Sequence, residues 1–310
     1  MDDAVMSSAA LRMPTSLRRA LQWAGSGLAL IGLVFVAFRL RSYWFDLDFS
    51  RVNSLLWVQF SGLVLIYGAA NLLPILAWRN LLIYLGASVT RLATIRIYGM
   101  SQLAKYIPGN IFHLAGRQAL GMAAGMSAGI LAKSIILDLS TMAVAGSLFG
   151  WLIMPILLPG FLELAGVLLL FSSAVFMVVI LKKTSGYPPV WAFFWHMLYL
   201  AISGAVFVAL LILVAGVEGT SSFFCLTIGG VYIVAWLIGL LTPGAPAGLG
   251  VREMILLLLL EGIIDDVDLL MATLLGRLVT VVGDLVIFMA ISSIPANIWD
   301  CRKVMPKNVR

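Results

Sequence analysis

Two stretches of this chain put cations where an anion could be held. Lys105-Tyr-Ile-Pro-Gly-Asn-Ile-Phe-His-Leu-Ala-Gly-Arg117 and Leu241-Thr-Pro-Gly-Ala-Pro-Ala-Gly-Leu-Gly-Val-Arg-Glu253 share a frame. Each sets an arginine nine positions after the proline of a Pro-Gly pair, Pro108 to Arg117 and Pro243 to Arg252. Pro108, Pro243 and Pro246 lack an N–H and fix φ, so they stop a helix. Gly109, Gly244, Gly248 and Gly250 admit backbone turns that side chains block. Restarting a helix near Leu249 puts Arg252 and Glu253 in its first turn. Free N–H groups beside a guanidinium are a natural seat for a phosphate. The alternative role for Arg117 and Arg252 is anchorage on the positive, inner side of a membrane.

Further charges interrupt apolar runs: Lys133, Asp138, Glu261, Arg277 and Asp284. A charge near the centre of a bilayer costs ~2.5–3.5 kcal/mol even on the lenient insertion scale, so these should face inward, pair or meet water. Arg277 and Asp284 are seven apart and share a helical face, whereas Lys133 and Asp138, five apart, do not. Two readings stand: structural ion pairs, or a polar route for a headgroup lined by Lys133, Asp138, Arg277 and Asp284. His113 and His196 read as packed imidazoles rather than proton carriers.

Motifs of soluble catalysis fail on context. Gly125-Met-Ser-Ala-Gly129 matches G-x-S-x-G, yet a nucleophile elbow needs a preceding strand with a His and an acid nearby, and these flanks are helical. Gly129-Ile-Leu-Ala-Lys-Ser134 lacks the glycine that precedes the lysine of a phosphate loop. No catalytic residue, cofactor or resident metal is expected. Asp46-Leu-Asp48 and Asp266-Val-Asp268 fall on the outer side and leave one enzymatic alternative, a metal-assisted glycosyltransferase using a lipid-linked sugar, or an accessory subunit of one. Their plainer role is to favour helix N-termini.

The elements that must position these residues are membrane helices. The 310 residues are 62% hydrophobic and 11% charged, where a soluble domain carries about 25% charged residues; mean hydropathy is +1.07. Net charge is +6, but the basic residues flank apolar runs, which points to inner loops and not to nucleic acid. Cys225 and Cys301 fall on opposite sides and form no disulfide framework.

The reading is an all-α polytopic bundle of about eight membrane helices with two Pro-Gly-interrupted segments. A tail at 1–19 precedes a membrane domain at 20–295 and a basic tail at 296–310. The spans are Leu21–Phe38, Leu55–Trp78, Ile130–Met154, Leu162–Leu181, Val190–Ala215, Phe223–Leu241, Leu249–Ile264 and Leu269–Ile294, with Leu81–Ala104 lying on the inner surface and Leu114–Gly129 a short helix. Gly121, Gly125 and Gly129 on the latter mark a close-contact face. Lys and Arg placement puts both ends in the cytoplasm. Leu249–Ile264 covers ~24 Å at 1.5 Å per residue, short of a ~30 Å hydrocarbon core; a re-entrant pair is the rival. The recurring Pro-Gly…Arg frame hints at two parallel repeats, roughly 55–154 and 223–294.

Pro243-Gly-Ala-Pro-Ala-Gly-Leu-Gly-Val-Arg-Glu253 resembles the Pro-Gly-Gly-x-Gly-x-Arg-Glu signature of the lysylphosphatidylglycerol synthase transmembrane (flippase-like) family. Lys105–Arg117 is similar to that family's first Pro-Gly element, and Arg277 to the arginine of its last helix. The likeness runs over about residues 20–295. Ala245-Pro246-Ala247 stands here in place of the central Gly-Gly. The resemblance implies a stand-alone unit, without the synthase domain, that moves lipids with modified headgroups or serves polysaccharide and glycolipid assembly. The expected partners are a membrane lipid or a polyprenyl-phosphate-linked sugar, with enzymes of envelope biosynthesis.

Overall fold

The computed structural model describes residues 54–106, 111–216, 221–242, 248 and 250–294. The first expected span, Asp46 and Asp48, both tails, and the pairs Pro108-Gly109 and Pro243-Gly244 lie outside these residues. The described chain is all-helical, without a strand.

Helices α1 (Ser54–Ala70) and α2 (Leu72–Tyr84) meet at a bend at Asn71. Pro74 lies in the first turn of α2, where its missing N–H costs least. The side-chain amide of Asn71 donates to the Tyr67 carbonyl at 3.2 Å and bridges the joint. α3 (Arg91–Gln102) is capped by Thr90 and passes into a 3₁₀ turn, Leu103–Tyr106. α4 (Phe112–Ala123) follows the first break, and α5 (Ala128–Leu148) starts on a Ser127 cap. A 3₁₀ stretch, Phe149–Ile153, and a single turn, Met154–Leu157, extend α5.

α6 (Glu163–Ser185) ends on Lys182 and Lys183, which complement the negative end of the helix. α7 (Tyr187–Ala215) opens with prolines in its first turn, where proline is tolerated. α8 (Ser222–Leu241) is capped by Ser221. α9 (Val251–Leu260) follows the second break, and α10 (Asp266–Ser292) is capped by Asp265.

Among the described residues, six stretches are long and apolar enough to cross a membrane: Trp57–Tyr84, Ala128–Leu157, Glu163–Ser185, Tyr187–Ala215, Ser222–Leu241 and Asp266–Ser292. The chain is thus a helical membrane protein. α7 is the central post, packed against α1, α2, α5, α6, α8 and α10. α6 is the opposite case: Leu164, Leu168, Phe171, Val175 and Val179 stand exposed at helical spacing, a face suited to lipid.

Several sequence expectations change. The second span does not end at Trp78 but continues to Tyr84, so Arg79 lies within α2. Leu81–Ala104 is not one surface helix: α3 buries Ala93, Thr94, Ile97, Tyr98 and Ser101 and packs on α2, α4 and α10. The helix expected at 114–129 stops at Ala123, because residues 124–127 turn the chain into α5. The G-x-S-x-G match is therefore a helix–helix turn. Of the glycines expected to mark a close-contact face, Gly121 makes one, since a Cβ there would lie 2.5 Å from Leu131, whereas Gly129 has nothing within 4 Å. The short span expected at 249–264 is helical only over the ten residues of α9, ~15 Å of axis and about half a hydrocarbon core.

Candidate functional site

Residues flanking the two Pro-Gly stretches line one cavity of about 90 Å³, room for several waters or one compact polar group. Its cationic wall is Lys105, Arg117, Arg252 and Arg277, drawn from both Pro-Gly…Arg stretches and from α10. Tyr67, Tyr98, Tyr106, Tyr199 and Trp236 supply aromatic wall. His113, Gln102 and Thr280 add polar groups, and Asp138 is the one acidic residue lining it among the described residues.

Arg117 is 2% exposed and held from three sides. Its guanidinium lies over the Tyr98 ring at 3.7 Å and the Trp78 ring at 5.2 Å. Its Nη1 donates to Asp138 Oδ2 at 2.7 Å. The other carboxylate oxygen of Asp138 meets His196 Nε2 on α7 at 3.1 Å. Trp78 is fixed in turn, its indole N–H donating to the Ser134 hydroxyl at 2.9 Å. α2, α3, α4, α5 and α7 are thereby cross-linked around one guanidinium.

At the second break the backbone itself requires glycine. Gly248 and Gly250 have φ of +69° and +81°, a region where side chains are strained. A Cβ on Gly248 would also lie 2.9 Å from Gly239 Cα on α8. Glu253 turns back on this loop: its Oε2 accepts the Gly250 N–H at 2.7 Å, capping α9 from its third residue. Its Oε1 accepts from Arg277 Nε on α10. Arg277 Nη2 donates to the Gly248 carbonyl at 3.0 Å, so one guanidinium ties the end of the loop and the start of α9 to α10.

Arg252 is different. It is 3% exposed and lies over the Tyr232 ring at 4.2 Å. Tyr232 itself is stacked on Phe207 with ring centroids 4.6 Å apart. No carboxylate reaches Arg252 among the described residues, and its Nε and Nη2 are buried without a hydrogen-bond partner. A buried charge without a counter-charge is costly, and this one borders a cavity.

The remaining expected residues divide. Asp284 is wholly buried on α10 but does not line the cavity. Its Oδ2 holds Lys105 Nζ at 2.6 Å and accepts from the Tyr106 hydroxyl, which moors the 3₁₀ turn before the first break. The expected partnership of Arg277 and Asp284 along one helical face is replaced by these two separate clamps. Lys133 is exposed near the start of α5, away from the cavity. Glu261 is exposed at the end of α9 and not within an apolar helix. His113 lines the cavity; burial first, and then Arg117, push its imidazole down to about 3, so it is neutral near pH 7. Of the acidic pairs expected on the outer side, Asp266 and Asp268 lie in the first turn of α10, which Asp265 caps through the Val267 N–H. No cluster of three or more metal-ligating side chains occurs among the described residues.

Sequence reasoning missed the aromatic supports. Tyr98 stands nineteen residues before Arg117 and Tyr232 twenty before Arg252, so extending the repeated frame upstream would have found both. The Tyr67–Tyr199 pair, hydroxyls 3.1 Å apart, joins α1 to α7 and has no sequence signal.

No protein-family model matches this chain, and neither does any curated protein.

Proposed function

We propose that this protein is a flippase- or scramblase-like carrier for the anionic headgroup of a membrane lipid or lipid-linked glycan, with the cavity between its two helix breaks as the headgroup station. The observation that carries this reading is Arg252, a buried guanidinium lining the cavity with no carboxylate partner among the described residues. An anionic phosphate supplies the missing counter-charge, and the planar fork of Arg252 suits its oxygens. α9 begins one residue earlier, so its N-terminal N–H groups favour the same charge. Apolar acyl or isoprenoid chains would remain among the exposed apolar faces while the polar head enters.

In this reading the chain sits in the cytoplasmic membrane with both ends inside, and the first apolar segment and α9 bring the count to eight. Its kinship is to the lysylphosphatidylglycerol synthase transmembrane group, and its work belongs to phospholipid headgroup modification or to envelope polysaccharide and glycolipid assembly. No nucleotide-binding motif is present in the sequence, so a gradient or consumption of the cargo would drive net transport.

Reconstitution tests it. Proteoliposomes carrying fluorescent phosphatidylglycerol, or a polyprenyl-phosphate sugar, should expose the inner-leaflet pool to an external quencher or enzyme faster than protein-free vesicles. Arg252→Gln should remove that acceleration. Equal rates with and without protein for both lipid classes would end the proposal.

A further inference from the structure

The charges around the cavity carry more than the presence of an anion: they fix how much charge it should bear. Three of the four cations already have a carboxylate each. Arg117 has Asp138, Lys105 has Asp284 and Arg277 has Glu253. The fourth, Arg252, has none among the described residues. The residues of the two breaks themselves, 107–110 and 243–249, contribute no ionisable side chain. Counting lysine, arginine and carboxylate side chains among the described residues, the walls and their buried partners hold one positive charge in excess.

We infer that the cavity selects a headgroup bearing a single negative charge, a phosphodiester whose remaining substituent is neutral and hydroxylated, over diphosphate-linked and zwitterionic headgroups. This rests on the reading of Arg252 as an anion seat and narrows it. A phosphodiester neutralises the excess charge. A diphosphate brings further negative charge into a low-dielectric space where the other three cations are already matched. Capturing it would require breaking an ion pair and leaving a carboxylate buried and unpaired. A zwitterionic head seats its phosphate equally well, but its ammonium then faces Lys105 and Arg277, both on the cavity wall. The free oxygen of Asp284, the acceptor that could offset it, is buried behind that wall. Neutral hydroxyls avoid both penalties, because Gln102 and the tyrosine hydroxyls offer uncharged partners.

The test uses the full chain in a non-ionic detergent and three short-chain probes, read by calorimetric titration. Dihexanoyl phosphatidylglycerol is the singly charged diester, geranyl diphosphate the multiply charged anion and dihexanoyl phosphatidylcholine the zwitterion. The diester should bind more tightly than either of the others by about tenfold or more, the factor for each 1.4 kcal/mol. Arg252→Gln should abolish that binding. Asp284→Asn and Asp138→Asn each add one positive charge from a different helix, so whichever variant folds should shift preference toward the diphosphate.

If geranyl diphosphate binds the wild-type protein as tightly as the diester, and Arg252→Gln loses both, the charge-matching inference falls while the anion seat stands. If no probe binds and Arg252→Gln behaves like wild type, the seat falls as well. Should neither Asn variant fold, the wild-type ranking decides alone.

Discussion

The two breaks are alike in sequence and opposed in electrostatics. Each sets an arginine on a tyrosine face, Arg117 on Tyr98 and Arg252 on Tyr232. The helix that follows α4, α5, returns an acid, Asp138, to its arginine. The helix that follows α9, α10, returns a base instead. Arg277 takes Glu253, the acid adjacent to Arg252 in sequence, and Arg252 is left without one. The first region is thus a closed cross-link and the second an open positive site. An identical spacing of Pro, Gly and Arg specifies where a guanidinium goes, not whether its charge is free to act.

The contrast breaks most sharply at Asp138. Asp138→Ala should cost about 3–5 kcal/mol, the usual loss when one partner of a buried ion pair is removed. Thermal unfolding in detergent reads this directly, and an unchanged midpoint would show that the Arg117 cross-link is not structural. Arg252→Met should move the other way. Removing a buried charge that lacks a carboxylate should raise the ligand-free midpoint, within the ~1–4 kcal/mol seen when buried charge gives way to apolar packing. The same exchange at Arg117 should lower it. Two variants with the same sign would erase the distinction between the regions.

Backbone geometry offers a smaller separation. Gly248→Ala meets both a positive φ and the Gly239 backbone, and should cost about 1–3 kcal/mol. Gly129→Ala, with nothing within 4 Å of the added carbon, should be neutral or gain up to ~1 kcal/mol from helix propensity.

The effect that is smallest at neutral pH belongs to His113. Its folded-state pKa lies near 3 against an ordinary 6.5, so below about 6.5 the unfolded chain binds the proton and the folded chain does not. Stability should be intact above that pH and decline as pH falls toward 3. His113→Gln should flatten that decline, and an unaltered slope would locate the acid sensitivity elsewhere.

How much was legible beforehand follows the range of the interactions. Apolar runs of twenty or so residues marked most membrane helices, because a chain in lipid must satisfy its backbone locally. The α1–α2 bend was not read, since Pro74 sits in a tolerated position and the break falls at Asn71. The length of α9 was overestimated, because Glu261-Gly262 ends the helix within an otherwise apolar run. The partners of the charges in apolar runs have no local signal: Asp138 finds Arg117 and His196, Asp284 finds Lys105 and Tyr106, and Lys133 is exposed.

By itself the sequence determined that this chain is helical and built for a membrane, that Pro-Gly pairs recur at two related places, and that an arginine follows each of them nine positions after the proline. Those features depend on residues close together in the chain. Only the tertiary structure decided that both arginines border one cavity and that three carboxylates reach three of its four cations. The physical reason is that charge balance in a low-dielectric interior is set by groups far apart in sequence, Lys105 with Asp284 or Arg117 with Asp138 and His196, and no local pattern encodes which cation is left over.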